Sequence, residues 1–318
     1  MTSLPSLQQL RFLSALAEHR HFGRAAEACA VTQSTLSAGL KELEERLGVP
    51  LIERSHRRAL LTPVGEEIVA RGRRLLREAQ DLAEAAQGAR EPLAGPLRLG
   101  VIPTIGPYVL PAAMRGLAKT FPKLKLYLRE EQTGPLLGKL EAGELDLALI
   151  ALPYATGDIE VLTLGEDPLL VALPKAHPLA REKRLSRAAL AGEALLLMED
   201  GHCLRSHALE ACRLAGPDRN EVFQGTSLKT LLQMTAGGIG ITLVPALAAP
   251  TEISGSTGLV ARALAGEPSR TLALGWRRST ARKAELPRLR PLSRRYHRQG
   301  AAAAPLRFTR VALAAPAR

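Results

Sequence analysis

The chain has 318 residues and a net charge of +12, with 46% hydrophobic and 23% charged residues. This composition is typical of a globular protein with two or three compact units, and it excludes a wholly disordered chain. No run of about 18 uncharged apolar residues is present to span a bilayer. The N-terminus also lacks the basic start and long apolar stretch of a secretory signal. We therefore predict a cytoplasmic protein that does not enter a membrane.

The positive charge is concentrated at the C-terminal end. Residues 262 to 318 hold fourteen Arg or Lys and two Asp or Glu, which accounts for the whole excess, whereas residues 1 to 261 hold 29 of each sign. A basic tail either adds non-specific affinity for polyanions or is a solvated, partly disordered segment. Residues 300 to 318, rich in Ala, predict a flexible tail. DNA binding must therefore be argued from a site.

Residues 5 to 61 predict such a site. Apolar residues recur at helical spacing from Leu7 to Cys29, and Thr32 is the expected N-cap of an amphipathic helix that Gly48 ends. Short helices followed by an amphipathic helix with small polar residues at its start predict a helix-turn-helix, whose second helix enters the major groove of DNA. Cys29 lies on the apolar face, so we expect it in the core.

Candidate DNA contacts lie on this second helix and on the segment after it. At the exposed start of the helix, small polar side chains are placed to reach base edges, and a lysine one turn later is placed to reach the DNA backbone: Gln33, Ser34, Thr35, Ser37 and Lys41. Residues 50 to 61 predict a two-stranded wing. Its candidates for phosphate or minor-groove contact are Arg54, Arg57 and Arg58. A solvated charged hairpin is the alternative interpretation of the wing.

A long helix is predicted to follow the wing. Thr62 and Pro63 are a favourable helix start, and no proline follows until Pro92. An apolar seam runs along the predicted helix to about Gly88: Val64, Ile68, Leu75, Ala79, Leu82 and Ala86. About 25 residues give a rod of about 38 Å, and its seam is longer than one small domain can cover. We therefore expect a second chain against it, hence a dimer and a partly palindromic operator.

Beyond a Pro/Gly hinge at residues 91 to 96, the pattern changes to alternating strands and helices. Strands are predicted at 97–102, 124–128, 145–150 and 169–173, with helices at 111–121 and 136–143. This alternation predicts an α/β sheet with ligands at the carboxyl ends of its strands. Thr104 and Thr133 follow the first two strands. Each is a candidate either for a helix N-cap or for contact with a ligand.

Several of these motifs together resemble the LysR-type transcriptional regulators. They are Phe22-x-x-Ala25-Ala26, residues 32 to 37, Leu43-Glu44, residues 51 to 54 and Leu61-Thr62-Pro63-x-Gly65. The resemblance covers about residues 4 to 298. It implies an N-terminal all-α winged helix-turn-helix (1–61), a linker and dimerisation helix (62–91) and a periplasmic-binding-protein-like α/β effector domain of two subdomains (92–299). Ser34 stands where the family often has proline, and Ala38-Gly39 replaces larger polar residues, so base contacts do not transfer directly.

Residues 198 to 212 contain two of the three cysteines of the chain. Cys203 and Cys212 lie nine positions apart, with His202 and Arg205 beside the first. Positive neighbours favour the reactive thiolate form of a cysteine, and a second thiol can trap an oxidised sulfur. If residues 203 to 212 form one helix, the two Cα atoms are about 13 Å apart along its axis, whereas a disulfide requires about 7 Å or less. A disulfide would therefore require local refolding, which we expect between Gly201 and Gly216-Pro217.

Five segments resemble the hydrogen-peroxide-sensing members of the same family. They span residues 17 to 22, 100 to 111, 120 to 124, 199 to 205 and 240 to 247. The resemblance implies that peroxide oxidises Cys203 to a sulfenic acid and that Cys212 then forms a disulfide with it. It also implies a peroxide pocket, which we assign to Thr104, Thr133, His202, Arg205 and Arg270. Ser206 replaces a frequent Asp, which predicts altered hydrogen bonding in this pocket.

The resemblance further implies double-stranded DNA as a partner, a homodimer through the linker helix that assembles to a homotetramer, contact with RNA polymerase, and no cofactor, metal or enzyme activity.

Four alternatives stay open. The two cysteines are ordinary buried residues, or they bind zinc with His202 and His207. A small-molecule inducer binds reversibly in the cleft instead of peroxide. In the last alternative, the thiol pair serves a peroxidase.

Overall fold

The computed structural model describes residues 4–54, 59–88, 93–212, 221–280 and 282–289. The predicted contacts Arg57 and Arg58, the refolding limit Gly216-Pro217 and the tail 300–318 therefore lie outside the described residues. The chain divides into two units, residues 1–90 and 91–318. No helix among the described residues has the length and apolar character needed to cross a membrane.

The first unit consists of helices and a short hairpin. Its elements are α1 (Leu7–His19), α2 (Phe22–Cys29), α3 (Gln33–Leu47), β1 (Ile52–Arg54), β2 (Ala59–Leu61) and α4 (Pro63–Gly88). Strands β1 and β2 pair antiparallel, as the predicted wing requires. The start of α3 is fixed by the Thr32 hydroxyl, which accepts a hydrogen bond from the Thr35 amide, and Gly48 ends the helix with a φ of 70°.

The core of this unit is built from the apolar faces of the first three helices. Leu36, Leu40 and Leu43 of α3 are buried, and so is Cys29, as predicted. Gly39 has a packing role, because a Cβ atom at this position would lie 2.8 Å from the ring of Phe12. The glycine therefore allows α3 to approach α1 closely.

The second unit is an α/β domain, which confirms the predicted fold class. Its strands are β3 (Gly95–Val101), β4 (Leu124–Glu130), β5 (Leu147–Leu152), β6 (Ile159–Pro174), β7 (Arg184–Leu185), β8 (Leu195–Met198), β9 (Glu221–Gly225), β10 (Ile241–Pro245), β11 (Leu259–Leu264) and β12 (Ser269–Arg277). Its helices are α5 (Gly106–Thr120), α6 (Thr133–Glu141), α7 (Cys203–Cys212), α8 (Leu228–Ala236) and α9 (Ala249–Glu252).

The long strand β6 joins two halves of one sheet. Strand order is β4-β3-β5-β12-β6-β10-β8-β9, and β11 pairs with β6 off this path. Residues 159 to 168 pair with β12, whereas residues 169 to 174 pair with β10 and β11. Each half contains three parallel strands, β4-β3-β5 in one and β10-β8-β9 in the other. Two hydrophobic cores correspond to these halves, which are the two expected subdomains.

Two elements differ most from the prediction in their bounds. Helix α5 begins at Gly106 rather than at Pro111, so Pro111 lies inside the helix. Pro111 is the sixth helical residue, beyond the first four amides that lack an intrahelical acceptor, so the proline removes one backbone hydrogen bond from the helix. The predicted strand 169–173 is only the final part of β6, because the polar residues before it, including Glu166 and Asp167, concealed its first half.

Candidate functional site

A narrow cleft lies where the carboxyl ends of β3, β4 and β8 meet. Its lining residues follow these three strands directly: Ile102, Pro103, Thr104, Gln132, Thr133, His202, Cys203 and Leu204. Parallel strands place their carboxyl ends at one edge of a sheet, and the two halves each contribute to this edge. The cleft therefore joins residues that are about 100 positions apart in sequence, and it includes four predicted pocket or redox residues.

Cys203 is the first residue of α7, and its thiol is free and buried. The amino end of a helix carries partial positive charge from unpaired backbone N–H groups, which stabilises a nearby anion. The sulfur of Cys203 therefore lies at the positive end of a helix dipole, at the wall of the narrow cleft. Cys203 is the candidate nucleophile of the site.

Neither threonine of the cleft caps a helix. The N-cap of α5 is Ile105 and the N-cap of α6 is Gln132, and no side chain caps either helix. The hydroxyl of Thr133 is fully buried and has no hydrogen-bond partner among the described residues. A buried hydroxyl without a partner is costly, so the helix-cap interpretation does not hold and contact with a ligand is favoured for Thr133.

Arg270 binds Thr104, the other threonine of the cleft, without lining the cleft itself. Its Nη1 donates to Thr104 Oγ1 at 2.7 Å and its Nη2 donates to the Thr104 carbonyl at 2.9 Å. On its other side, Nε and Nη2 lie 3.0 and 2.9 Å from Asp167 Oδ2. Burial raises the pKa of the Asp167 carboxyl, and the Arg270 guanidinium counteracts this rise. Arg270 reaches the cleft through Thr104, since it is not itself part of the lining.

Burial disfavours a positive charge on the two histidines of this segment, His202 and His207. Burial lowers the pKa of His202, although Glu199, whose Oε1 lies 3.7 Å from His202 Nε2, partly opposes the shift. Burial also lowers the pKa of His207, whose Nε2 hydrogen-bonds to the Pro153 carbonyl at 3.1 Å. Burial therefore favours the neutral form of both imidazoles, which argues against a cationic role for them beside Cys203.

Arg205 and Ser206 lie away from the cleft. The guanidinium of Arg205 is held by Asp200, with Nε 2.9 Å from Oδ1, and by the Met198 carbonyl at 3.3 Å from Nη1. Ser206 is exposed to solvent on α7. The structure therefore places Arg205 as a support for the residues before α7. Ser206 does not line the cleft, and its effect on hydrogen bonding there stays a prediction.

Cys212 is the last residue of α7, and its thiol is buried and free. Burial raises the pKa of this thiol to about 11, although Arg187 opposes the shift. Arg187 also donates from Nε to the carbonyl of Ala211 at 2.8 Å, which ties down the end of the helix. The helix is continuous from Cys203 to Cys212, so the two cysteines are about 13 Å apart along its axis. This geometry does not allow a disulfide.

Sequence reasoning missed two residues around the cleft. Gln132 lines it and donates from Nε2 to Glu199 Oε1 at 3.3 Å. Asp167 forms the buried ion pair with Arg270. Gln132 could have been found, because it stands beside Thr133 at the end of a predicted strand. Asp167 gave only the weaker signal of a carboxylate at the edge of an apolar strand.

The alternative of a zinc site receives no support from the geometry. Among the described residues, no group of three or more His, Cys, Asp or Glu side chains is arranged to hold a metal ion. Cys203 and Cys212 lie at opposite ends of α7, and His207 faces the Pro153 carbonyl. These ligands therefore do not converge.

The candidate DNA-contacting side chains of α3 are largely exposed. Gln33, Ser34, Thr35 and Lys41 are exposed and Ser37 is half-buried. Hydroxyl groups of Ser34 and Thr35 lie 2.9 and 2.8 Å from Thr32 Oγ1, so both take part in the cap of the helix. The Lys41 ammonium lies 3.6 Å from Glu45. Arg54 ends β1, and its side chain, like Arg57 and Arg58, lies outside the described residues.

Comparison with protein families matches both units. Residues 7–66 match the family described as "Bacterial regulatory helix-turn-helix protein, lysR family", and residues 90–297 match the "LysR substrate binding domain". The chain is 44% identical to a "Hydrogen peroxide-inducible genes activator" of Pectobacterium carotovorum, over 86% of this chain and 90% of the relative. It is 45% identical to the "DNA-binding transcriptional dual regulator OxyR" of Escherichia coli K12, over 86% of this chain and 89% of the relative.

Solved structures give the same result. A full-length OxyR of Pseudomonas aeruginosa with one cysteine replaced by aspartate has a TM-score of 0.77 at 36% identity, and the match covers 97% of this chain and 100% of that one. A hydrogen-peroxide-bound OxyR variant of Corynebacterium glutamicum, with a cysteine replaced by serine, has a TM-score of 0.65 at 34% identity and covers 95% of both chains. The fold of the whole chain is therefore represented among solved structures.

Proposed function

This chain belongs to the LysR family of bacterial transcriptional regulators, and we propose that it senses hydrogen peroxide through Cys203 and Cys212 and changes its DNA contacts in response. One observation carries the proposal. Cys203 opens a helix in a narrow cleft where the Thr133 hydroxyl is buried without a partner and the Thr104 hydroxyl is held by Arg270. A nucleophilic sulfur that lines the same cleft as two hydroxyl side chains suits a small ligand with two oxygens. The names of the relatives in Pectobacterium and Escherichia coli support the same ligand.

In the first step, the thiolate of Cys203 attacks one oxygen of hydrogen peroxide. The S–O bond forms as the O–O bond breaks, so the sulfur is oxidised to a sulfenic acid and the second oxygen leaves as hydroxide. That hydroxide takes a proton, equivalent to the one the thiol lost, and becomes water. Hydrogen bonds from Thr104 and Thr133, with the neutral imidazole of His202, would stabilise the charge that develops on the leaving oxygen.

In the second step, the Cys212 thiol attacks the sulfenic acid, a disulfide forms and a second water leaves. Attack requires a thiolate, whereas burial keeps the Cys212 thiol protonated in the helix by raising its pKa to about 11. Unwinding of α7 therefore serves two purposes. It brings the sulfurs within bonding distance, and it returns the pKa of Cys212 towards its value in water.

The first unit would supply the DNA-reading part of this regulator. Two copies paired along α4 would present two recognition helices to a partly palindromic operator, and two such dimers would form the expected homotetramer. Base contacts are assigned to Gln33, Ser34, Thr35 and Ser37, and phosphate contacts to Lys41 and to three wing arginines, Arg54, Arg57 and Arg58. The protein would act in the cytoplasm, where its DNA and RNA polymerase lie. Refolding of α7 would change how the effector domains pack and would thereby shift the spacing of the two recognition helices.

The proposal is tested on the full-length reduced protein with substoichiometric to equimolar peroxide. Mass spectrometry should find a bond between Cys203 and Cys212 that dithiothreitol removes, and the DNase footprint should change with it. The Cys212→Ser variant should stop at a sulfenic acid, and Cys203→Ser should not react. A finding of both thiols free in the wild type would overturn the proposal. A full transcriptional response in Cys203→Ser would favour the reversible inducer, and sustained peroxide consumption with thioredoxin would favour a peroxidase.

A further inference from the structure

Asp167 and Arg270 form an ion pair with no access to solvent. Both side chains are 0% exposed. The two residues are direct partners across β6 and β12, so the pair lies where the long strand passes from one half of the sheet to the other. The second carboxylate oxygen of Asp167, Oδ1, accepts a hydrogen bond from the Leu247 amide at 2.9 Å. Both oxygens of Asp167 therefore have fixed partners, and its side chain has one position.

This pair determines what Thr104 offers to the cleft. A guanidinium has donors only, so Thr104 Oγ1 must accept the hydrogen bond from Arg270 Nη1 at 2.7 Å. The Thr104 hydroxyl then has its own hydrogen free for another acceptor. Because Thr104 lines the cleft beside Cys203, that hydrogen is available to a ligand oxygen. Arg270 also grips the Thr104 carbonyl, which fixes the backbone of the residue as well as its side chain.

We propose that Asp167 is a positioning residue for the reaction of Cys203 with peroxide, because it holds Arg270 in the orientation that makes the Thr104 hydroxyl a hydrogen-bond donor to the departing oxygen. The inference rests on the proposed function and adds to it a residue that does not touch the cleft. As the O–O bond breaks, negative charge grows on the oxygen that leaves as hydroxide. A donor already aimed at this oxygen stabilises it without reorganising in the transition state. The oxidised sulfur, the leaving water and the proton balance are those of the first step above.

The position of Asp167 explains why a fully buried charge pair is placed here. A lone Arg270 in this setting would be a buried cation without a counterion, which proteins avoid. With Asp167 neutralised, the guanidinium would lose its charged partner and would no longer have one fixed orientation. Thr104 would then be free to rotate, and its hydroxyl would donate to the cleft only part of the time.

The test uses the full-length protein with Cys212→Ser, so that only the first oxidation is measured. Asp167→Asn keeps the shape of the side chain and an acceptor oxygen but removes the charge. We expect the second-order rate constant for sulfenic acid formation to fall about tenfold or more. Alkylation of Cys203 by iodoacetamide, which has no leaving hydroxide, should stay within about twofold of the parent. A purely structural defect would change both rates together, and that result would overturn the proposal.

The matched control is Glu166→Gln on the neighbouring residue of β6. Glu166 accepts hydrogen bonds from the Ser269 and Thr271 hydroxyls of β12, at 2.7 and 2.6 Å, and forms no side-chain hydrogen bond with Arg270 or Thr104. Its peroxide rate should equal that of the parent. In a Thr104→Val background, Asp167→Asn should slow the peroxide reaction no further, because the group through which it acts is absent. Additive losses would contradict a role through Thr104.

If Asp167→Asn fails to fold, Arg270→Lys tests the same contacts, since one ammonium cannot reach Asp167 and both oxygens of Thr104. It should show the same selective loss of peroxide rate, and a parental rate would overturn the proposal. The parent protein is measured first. If its Cys203 does not react with peroxide, the proposed function fails. If it reacts and Asp167→Asn reacts equally fast, only the role of Asp167 fails.

Discussion

At the scale of single residues, the Thr133 hydroxyl indicates a site that binds a ligand. It is fully buried in the cleft and has no partner among the described residues. Such a group costs about 1–3 kcal/mol of folding free energy, because the hydroxyl loses its hydrogen bonds to water and gains none. A protein under selection for stability alone would place an apolar residue here. The retained hydroxyl is explained if it contributes to binding or to the reaction.

Substitution of Thr133→Val should therefore separate stability from reactivity. Valine has nearly the same shape, so we expect the free energy of unfolding to rise by about 1 kcal/mol while the peroxide rate constant of Cys203 falls. Urea unfolding and stopped-flow oxidation would measure the two effects. Thr242→Val is the control, because the Thr242 hydroxyl is also buried but donates to the Leu196 carbonyl at 2.7 Å. This control should lose about 1 kcal/mol of stability and keep its peroxide rate. A loss of stability in Thr133→Val would argue against an unsatisfied hydroxyl.

Cys212 gives the reduced protein a pH-dependent stability. Burial raises the pKa of its thiol to about 11 from an ordinary value of 9.0, so the folded state favours the protonated thiol. This contribution is fully present below about pH 9 and is lost as the pH rises through 11. Between pH 8 and pH 10.5, the unfolding free energy of the wild type should fall by about 2 kcal/mol more than that of Cys212→Ala. Urea titrations under reducing conditions measure this difference, and parallel pH profiles would contradict it.

At this scale, the sequence identified residues better than it identified their contacts. Thr104 and Thr133 were predicted because strand ends are readable, and both lie in the cleft. Asp167 was missed because its partner Arg270 is 103 positions away, and no local pattern reports such a pairing. Arg205 was assigned to the pocket by its distance in sequence from Cys203. Which side of a helix start a side chain reaches depends on packing, and here Asp200 and the Met198 carbonyl hold it.

At the scale of elements, α7 is a helix in the reduced protein, and this helix is incompatible with a disulfide between its two cysteines. Its middle is held by His207, which hydrogen-bonds to the Pro153 carbonyl, and its end by Arg187, which donates to the Ala211 carbonyl. Oxidation must break contacts of this kind, since a bond between Cys203 and Cys212 shortens a separation of about 13 Å to about 7 Å or less. The helix and the disulfide are thus mutually exclusive states of one segment.

Hydrogen exchange should detect this exclusion directly. In the reduced protein the amides of α7 should be protected, and in the disulfide form their exchange should accelerate at least about tenfold, because their helical hydrogen bonds are lost. Helix α8, which contains neither cysteine, serves as an internal reference and should not change. Peroxide-treated Cys212→Ser should keep the protection of α7, since a sulfenic acid alone places no constraint on the helix. Equal protection of α7 in both redox forms would show that the bond forms without unwinding.

Elements with strong local signals were predicted well, and elements that depend on distant partners were not. Helix α3 begins and ends where Thr32 and Gly48 predicted, because caps are local chemistry. The start of α5 was misplaced, because Pro111 was interpreted as the first residue of a helix in which it is the sixth. Strand β6 was half missed, because its first part contains polar residues such as Glu166 and Asp167 that are buried or paired only through β12, which comes about 100 residues later in the chain.

At the scale of the whole molecule, α4 exposes apolar residues that a second protein surface would bury. Leu75 and Leu82, two residues of the predicted seam, are 52% and 74% exposed in the single chain. They are seven positions apart, so they lie on one face of the helix, the spacing at which two helices pack together. A second copy of the chain, with the same seam, would bury both leucines in a symmetric interface.

The double substitution Leu75→Lys with Leu82→Lys should therefore separate the dimer. Four lysines would face each other across the paired helices, where their charges would be desolvated and would repel. Light scattering should report a smaller assembly than for the wild type, and affinity for an operator with two half-sites should fall at least about tenfold, because one recognition helix then binds alone. Arg73→Glu, an exposed position on the opposite face of α4, should keep the wild-type mass. If the double variant keeps both the mass and the operator affinity of the wild type, the chains do not pair through α4. Another surface must then set the spacing of the two recognition helices.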